Sequence, residues 1–143
     1  MKADDDGAAM VEFIVLAVML AVPLCYLVLA VFDVQRAAFG ASAATREAAR
    51  VFVRASSTTE GEHQANAAAA ITLADHGIAL QPGELTISCS TAPCLTPGAT
   101  VSFHYRTTVE LPLLPDVAAT HLASISITAT HSQAVDEYSE VRP

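Results

Sequence analysis

The segment FIVLAVMLAVPLCYLVLAVF, residues 13 to 32, decides the architecture of this chain. It holds twenty residues and no charged side chain. As a helix rising about 1.5 Å per residue it would span roughly 30 Å, the thickness of a bilayer core. A soluble helix rarely excludes charge for so long, so the run predicts a membrane span. The whole chain of 143 residues is 52% hydrophobic, has a mean hydropathy of +0.43 and lacks tryptophan, which is too apolar for an ordinary soluble domain. That excess is concentrated in this one run. About a hundred residues then remain for a single small domain, near the lower end of what one core stabilises without staples.

Glu12 stands immediately before the run. Drawing its carboxylate into hydrocarbon would cost on the order of 3 kcal/mol, so it either snorkels to the headgroups or meets a cationic partner. A secretory signal peptide fits the segment poorly. The leader carries Asp4, Asp5 and Asp6, and the nearest small-residue cleavage pattern, Ala41-Ser42-Ala43, lies beyond the charged Asp33 and Arg36. Positive charge is denser after the run (Arg36, Arg46, Arg50, Arg54) than before it, where only Lys2 is basic. The positive-inside rule alone would therefore leave the bulk of the chain in the cytoplasm.

From Asp33 to about Ala55 the chain is alanine-rich, contains no proline and has the single glycine Gly40, so the helix is expected to continue beyond the membrane. At 100° per residue its four arginines share one sector, while Ala37, Ala44, Ala48, Val51, Phe52 and Ala55 share another. Such a stripe of small residues suits packing against the chain's own domain or against a neighbouring helix. Glu47 and Arg50, three apart, can pair on the surface.

Two motifs in this half resemble a known family. Gly7-Ala8-Ala9-Met10-Val11-Glu12-Phe13 resembles the processing site of type IV prepilins, and Ala44-Thr45-Arg46-Glu47-Ala48-Ala49-Arg50 is similar to the Ala-Arg-Glu-Gly-Ala-Arg segment of TadE-like proteins, minor pseudopilins of tight-adherence (Flp) pilus systems. Ala48 replaces the usual glycine, and the acidic leader departs from the basic leaders common in that family. The resemblance covers residues 7 to 50. It implies cleavage by a prepilin peptidase between Gly7 and Ala8, with Glu12 then pairing with the free amine of a neighbouring subunit. A buried carboxylate so neutralised becomes tolerable and also fixes assembly register. Cleavage on the cytoplasmic face implies an extracytoplasmic C-terminal domain, against the positive-inside rule.

The remainder predicts a small α+β domain with a pilin-like plan of long helix, second helix and antiparallel sheet. A second helix is expected from about Glu60 to Asp75, after the capping hydroxyls of Ser56 to Thr59 and before His76-Gly77. Three alternating segments read as strands: Leu85, Ile87 and Cys89 on one face; Val101, Phe103, Tyr105, Thr107, Val109 and Leu111 on one face; and Ile125, Ile127 and Ala129 on one face. The domain organisation read this way is a leader over 1–7, a transmembrane helix over 8–32, a stem helix over 33–56 and an α+β domain over 57–143. The apolar Leu111-Pro112-Leu113-Leu114-Pro115 segment is expected to tuck under the sheet or dock on a partner.

Cys25 lies inside the apolar run, which leaves Cys89 and Cys94 around a Ser-Thr-Ala-Pro turn. In an oxidising compartment they would close a short loop, and in a reducing one they would stay thiols. No chemistry-bearing motif stands out. The five histidines, His63, His76, His104, His121 and His131, include no pair at metal-ligand spacing, and His104 and His131 are expected on solvent-facing sides of their strands. There is no Gly-x-Ser-x-Gly elbow or phosphate-binding glycine loop, so neither catalysis nor a cofactor or metal is expected. A formal charge of -8 with only seven Lys and Arg argues against a nucleic-acid partner.

The expected role is therefore structural: a non-enzymatic pseudopilin of the bacterial cytoplasmic (inner) membrane, crossing once, acting in pilus assembly or structure. Its expected partners are the lipid bilayer, the prepilin peptidase, the inner-membrane assembly platform and other pilins or pseudopilins, with a TadF-like partner implied by the resemblance. The alternative is an unprocessed, membrane-tethered extracytoplasmic binding or sensor module.

Overall fold

The computed structural model describes residues 5–110 and 124–140. The expected docking segment Leu111 to Pro115, together with His121, falls outside them. The chain divides into two compact units, Met1–Asp33 and Val34–Pro143. Its elements are α1 (Asp5–Phe52), α2 (Thr58–Asp75), β1 (Leu85–Cys89), β2 (Thr100–Glu110) and β3 (Ser124–Ala134), an α+β fold with a three-stranded antiparallel sheet in the order β1-β2-β3.

In the first unit the apolar run is helical and, apart from half-buried Tyr26 and buried Ala30, exposed. Phe13, Leu20 and Phe32 are 71%, 73% and 65% exposed, and the most apolar window of α1 has a mean hydropathy of 2.9 with no residue buried. Among the described residues this is one helix long and apolar enough to cross a membrane, consistent with a single-pass membrane protein. Pro23 sits inside it and has no N–H, so the carbonyl four residues earlier, Met19, lacks its usual helical donor.

In the second unit, Ala37, Gly40, Ala41, Ala44, Thr45, Ala48, Ala49 and Phe52 recur at three- and four-residue spacing along α1, and all are buried. On α2 the buried residues are Gly61, Ala65, Ala69 and Leu73. They share one core with the inner face of the sheet, including Val101, Phe103, Tyr105 and Ile127. Small side chains let the backbones approach closely: a Cβ on Gly61 would stand 2.9 Å from the Phe52 ring, and one on Gly40 would stand 3.0 Å from the His76 side chain. Phe52 fills the centre and meets Phe103 edge-on, with ring centroids 5.5 Å apart at 71°. Arg36, Arg46 and Arg50 lie exposed on the other side of α1, and Arg54 lies exposed just past its end.

Three boundaries differ from the sequence expectation. The stem helix stops at Phe52, not 56, because the chain tightens into i→i−3 bonds from Arg54 to Val51 and from Ala55 to Phe52. The second helix starts at Thr58, earlier than Glu60, because extended Ser57 accepts the Glu60 N–H and caps it. It ends as expected: the Gly77 N–H bonds to Ala74 and the Ile78 N–H to Leu73, with Gly77 at φ 70°. The third strand runs past the Ile-Thr-Ala alternation to Ala134. His131 pairs with Phe103 in that register and is half-buried on the inner side, so the expectation that it faces solvent is corrected. Its odd position in the strand, shared with Ile127 and Ala129, outweighs its polarity.

Cys89 and Cys94 are disulfide-bonded, with Cα atoms 5.3 Å apart. The bond ties the end of β1 to the loop that inserts fully buried Leu95 into the core. Replacing both cysteines with serine is expected to lower the stability of this unit by about 2 kcal/mol on the chain-entropy estimate. Chemical denaturation of the full chain in detergent would measure it, and an unchanged midpoint would show that the loop is held by its hydrogen bonds alone. Such bonds include those from the Ser90 N–H to Thr100 O, from the Thr100 N–H to Ser90 Oγ, from Thr96 Oγ1 to Pro93 O and from the Gly98 N–H to Val135 O.

Candidate functional site

Gly7 and Ala8 lie in the first turns of α1, which begins at Asp5. Glu12 is one helical turn beyond Ala8 and is exposed at the head of the apolar run. Among the described residues no cation or hydrogen-bond donor reaches it. An ionised carboxylate at that position has two outlets, water at the membrane surface or a positive group supplied from outside the chain.

The stem residues Arg46, Glu47 and Arg50 are bonded within their own helix. Arg46 donates to Ser42 O at 3.3 Å and to Ser42 Oγ at 2.8 Å, and Arg50 pairs with Glu47 at 2.8 Å. The hydrogen bond from Arg50 to Glu47, and then the carboxylate's charge, raise the guanidinium pKa above its ordinary value. With both partners well exposed and screened by solvent, the pair adds little to stability. The small-residue stripe next to these arginines is already spent on the chain's own α2 and sheet. Of the two uses the sequence allowed, packing against the chain's own domain is the one observed.

The outer face of the sheet holds side-chain contacts that no sequence motif announced. His104, at the middle of β2, bridges its neighbours: Nε2 lies 3.2 Å from Ser88 Oγ on β1 and Nδ1 lies 3.0 Å from Thr130 Oγ1 on β3. Ser102 and Ser132 join at 2.8 Å in the same layer. Strand register creates these pairs: Thr130 stands directly opposite His104, and Ser88 sits diagonally across. The alternation in β2 was a usable signal for the face, but the partners depend on residues 16 to 30 positions away.

On the other side of the sheet, Glu84 collects three donors: the Gln81 N–H at 2.9 Å, Thr107 Oγ1 at 2.7 Å and the Tyr105 hydroxyl at 3.4 Å. Burial pushes the Tyr105 phenol above its ordinary range; its hydrogen bond with Thr107 works against that, and the neighbouring Glu84 charge adds to it. Among the described residues no three His, Cys, Asp or Glu side chains come together as a metal site. Comparison with protein-family models, with characterised proteins and with solved structures returns no match for this chain.

Proposed function

We propose that this chain is a minor pseudopilin of the TadE type, held in the bacterial inner membrane by the apolar part of α1 and cut by a prepilin peptidase after Gly7. Its domain faces away from the cytoplasm. Its place is in the assembly or structure of a tight-adherence pilus, alongside other pilins and a TadF-like partner. The observation that carries this reading is Glu12: an exposed carboxylate at the head of an exposed apolar helix, reached by no cation among the described residues and five residues after the glycine of a prepilin-like sequence. A chain that inserted alone would be better served by a neutral residue there. In an assembly, the ammonium of a neighbour's Ala8 would offset the charge, and only in the correct register. The disulfide between Cys89 and Cys94 supports an oxidising location for the domain.

The test is intact mass and N-terminal sequencing of the protein from its native membrane, with and without the prepilin peptidase. A chain beginning at Ala8 only when the peptidase is present is the expected result. One beginning at Met1 in both cases would replace this reading with that of an unprocessed, tethered module.

A further inference from the structure

We propose that the free edge of β3 is a strand-pairing surface on which a second copy of this chain docks, antiparallel and two-fold symmetric about Ala129, so that the two sheets become one. The register fixes which backbone groups are spare. The Val135 N–H bonds to Ala99 O at 2.8 Å, while the bonds from Arg106 N–H to Glu84 O and from Ser90 N–H to Thr100 O turn the even-numbered residues of β2 toward β1. By alternation the odd residues of β3 bond to β2, and Ser124, Ser126, Thr128, Thr130, Ser132 and Ala134 aim their N–H and C=O groups away from the sheet. Among the described residues no backbone hydrogen bond reaches these groups, and every one of these residues is exposed. Natural sheets blunt an edge by keeping it short or by placing charge or proline on it. β1 follows that rule: it has 5 residues, its edge-facing backbone belongs to half-buried Leu85, Ile87 and Cys89, and the disulfide ties down its end. β3 does not, for it runs through 11 residues without an Asp, Glu, Lys, Arg or Pro.

The occupant follows from the strand's own sequence. Ser126-Ile127-Thr128-Ala129-Thr130-His131-Ser132 reads nearly the same from either end, and Ala129 is the central residue of β3. Pairing two copies about that point sets Thr128 opposite Thr130 and Ser126 opposite Ser132 on the outer face, with Ile127 opposite His131 and Ile125 opposite Gln133 on the inner one. Matched hydroxyls across a seam attract, and Ile125, 39% exposed in the single chain, gains cover. Ala129 meets only its own copy, and its small side chain suits a non-hydrogen-bonded pair with Cα atoms about 4.5 Å apart. Charge selects the same surface. Two chains of formal charge -8 repel one another, and this strip lets them meet without setting like charges face to face. A two-fold contact closes on itself, so the product is a dimer and not a fibre. The inference holds whether or not the chain is cut after Gly7.

The experiment is cysteine cross-linking of the full chain in its native membrane, in a Cys25→Ser background that leaves no free thiol because Cys89 and Cys94 are bonded to each other. Ala129→Cys places two thiols on the axis, within disulfide reach at about 4.5 Å between Cα atoms, and mild oxidation should give a covalent dimer. Gln133→Cys is the register control: its two copies would stand on the order of 25 Å apart, and it should stay monomeric. Thr128→Lys added to Ala129→Cys sets like charges diagonally across the seam and should cut the dimer yield about tenfold or more. An unchanged melting temperature in detergent checks the fold of that variant, and the contrast between positions 129 and 133 stands without it. No dimer with Ala129→Cys, an equal yield with Gln133→Cys, or a yield undiminished by Thr128→Lys in the folded variant would overturn the proposal.

Discussion

Glu12→Ala is expected to insert normally, to be cut normally, and to be missing from the assembled structure. The substitution removes a charge from the head of the span, so insertion becomes easier by up to about 3 kcal/mol. On the proposed pairing, assembly would lose the partner of a neighbour's ammonium. Breaking one side of such a pair costs about 3–5 kcal/mol, which corresponds to a drop in incorporation of about a hundredfold or more. Glu12→Gln keeps the shape and should lose nearly as much, which separates charge from packing. The measurement compares this protein in sheared pili and in the membrane fraction for wild type and variants. Normal incorporation of Glu12→Ala would remove the pairing argument, even if the mature chain begins at Ala8.

The second large effect concerns stability. Phe52 is fully buried, lies against Phe103 and closes over Gly61, so Phe52→Ala leaves a hole that small neighbours cannot fill. The expected loss is about 3–5 kcal/mol, a large part of the 5–15 kcal/mol typical of a domain. Calorimetry of the full chain in detergent should show the melting temperature of this unit falling by roughly 10 °C or more. Phe39→Ala is the matched control. That ring is 68% exposed and its loss should change stability by about 0.5 kcal/mol or less. If the two variants melt alike, the helix–sheet core is not organised around Phe52.

Much of this architecture was legible because it rests on local periodicity. The twenty uncharged residues, the three- and four-residue spacing of Ala37, Ala44, Ala48 and Phe52, and the alternation from Val101 to Val109 each mark a face before any partner is known. What escaped depends on pairing across distance. His131 reads as polar and therefore outward, yet its position opposite Phe103 turns it inward. The bridge from Ser88 through His104 to Thr130 requires the register of all three strands, and the capture of Glu84 by Tyr105 and Thr107 requires a turn placed beside β2. The early start of α2 was nearer to hand, since Ser57 stands three residues before Glu60 and caps its N–H, while the Glu60 carboxylate accepts the Ser56 N–H.

The position of β2 has a consequence for how the domain is made. It is the central strand, yet one of its two neighbours, β3, is encoded after it, and the final ties come later still, with the Val135 N–H bonding to Ala99 O. During synthesis at about 5–20 residues per second, β2 therefore waits on the order of seconds with one edge unpaired. Vectorial emergence leaves the β1–β2 hairpin as an incomplete sheet that presents its apolar side to the α1–α2 pair. Nascent chains stalled before Ser124 should remain open to proteases in the Leu85–Glu110 region, and chains released past Val135 should not. Protection of the shorter chains would show that the hairpin and the two helices already suffice. The last strand is in this sense a latch, and the fold is complete only once the segment that carries it has emerged.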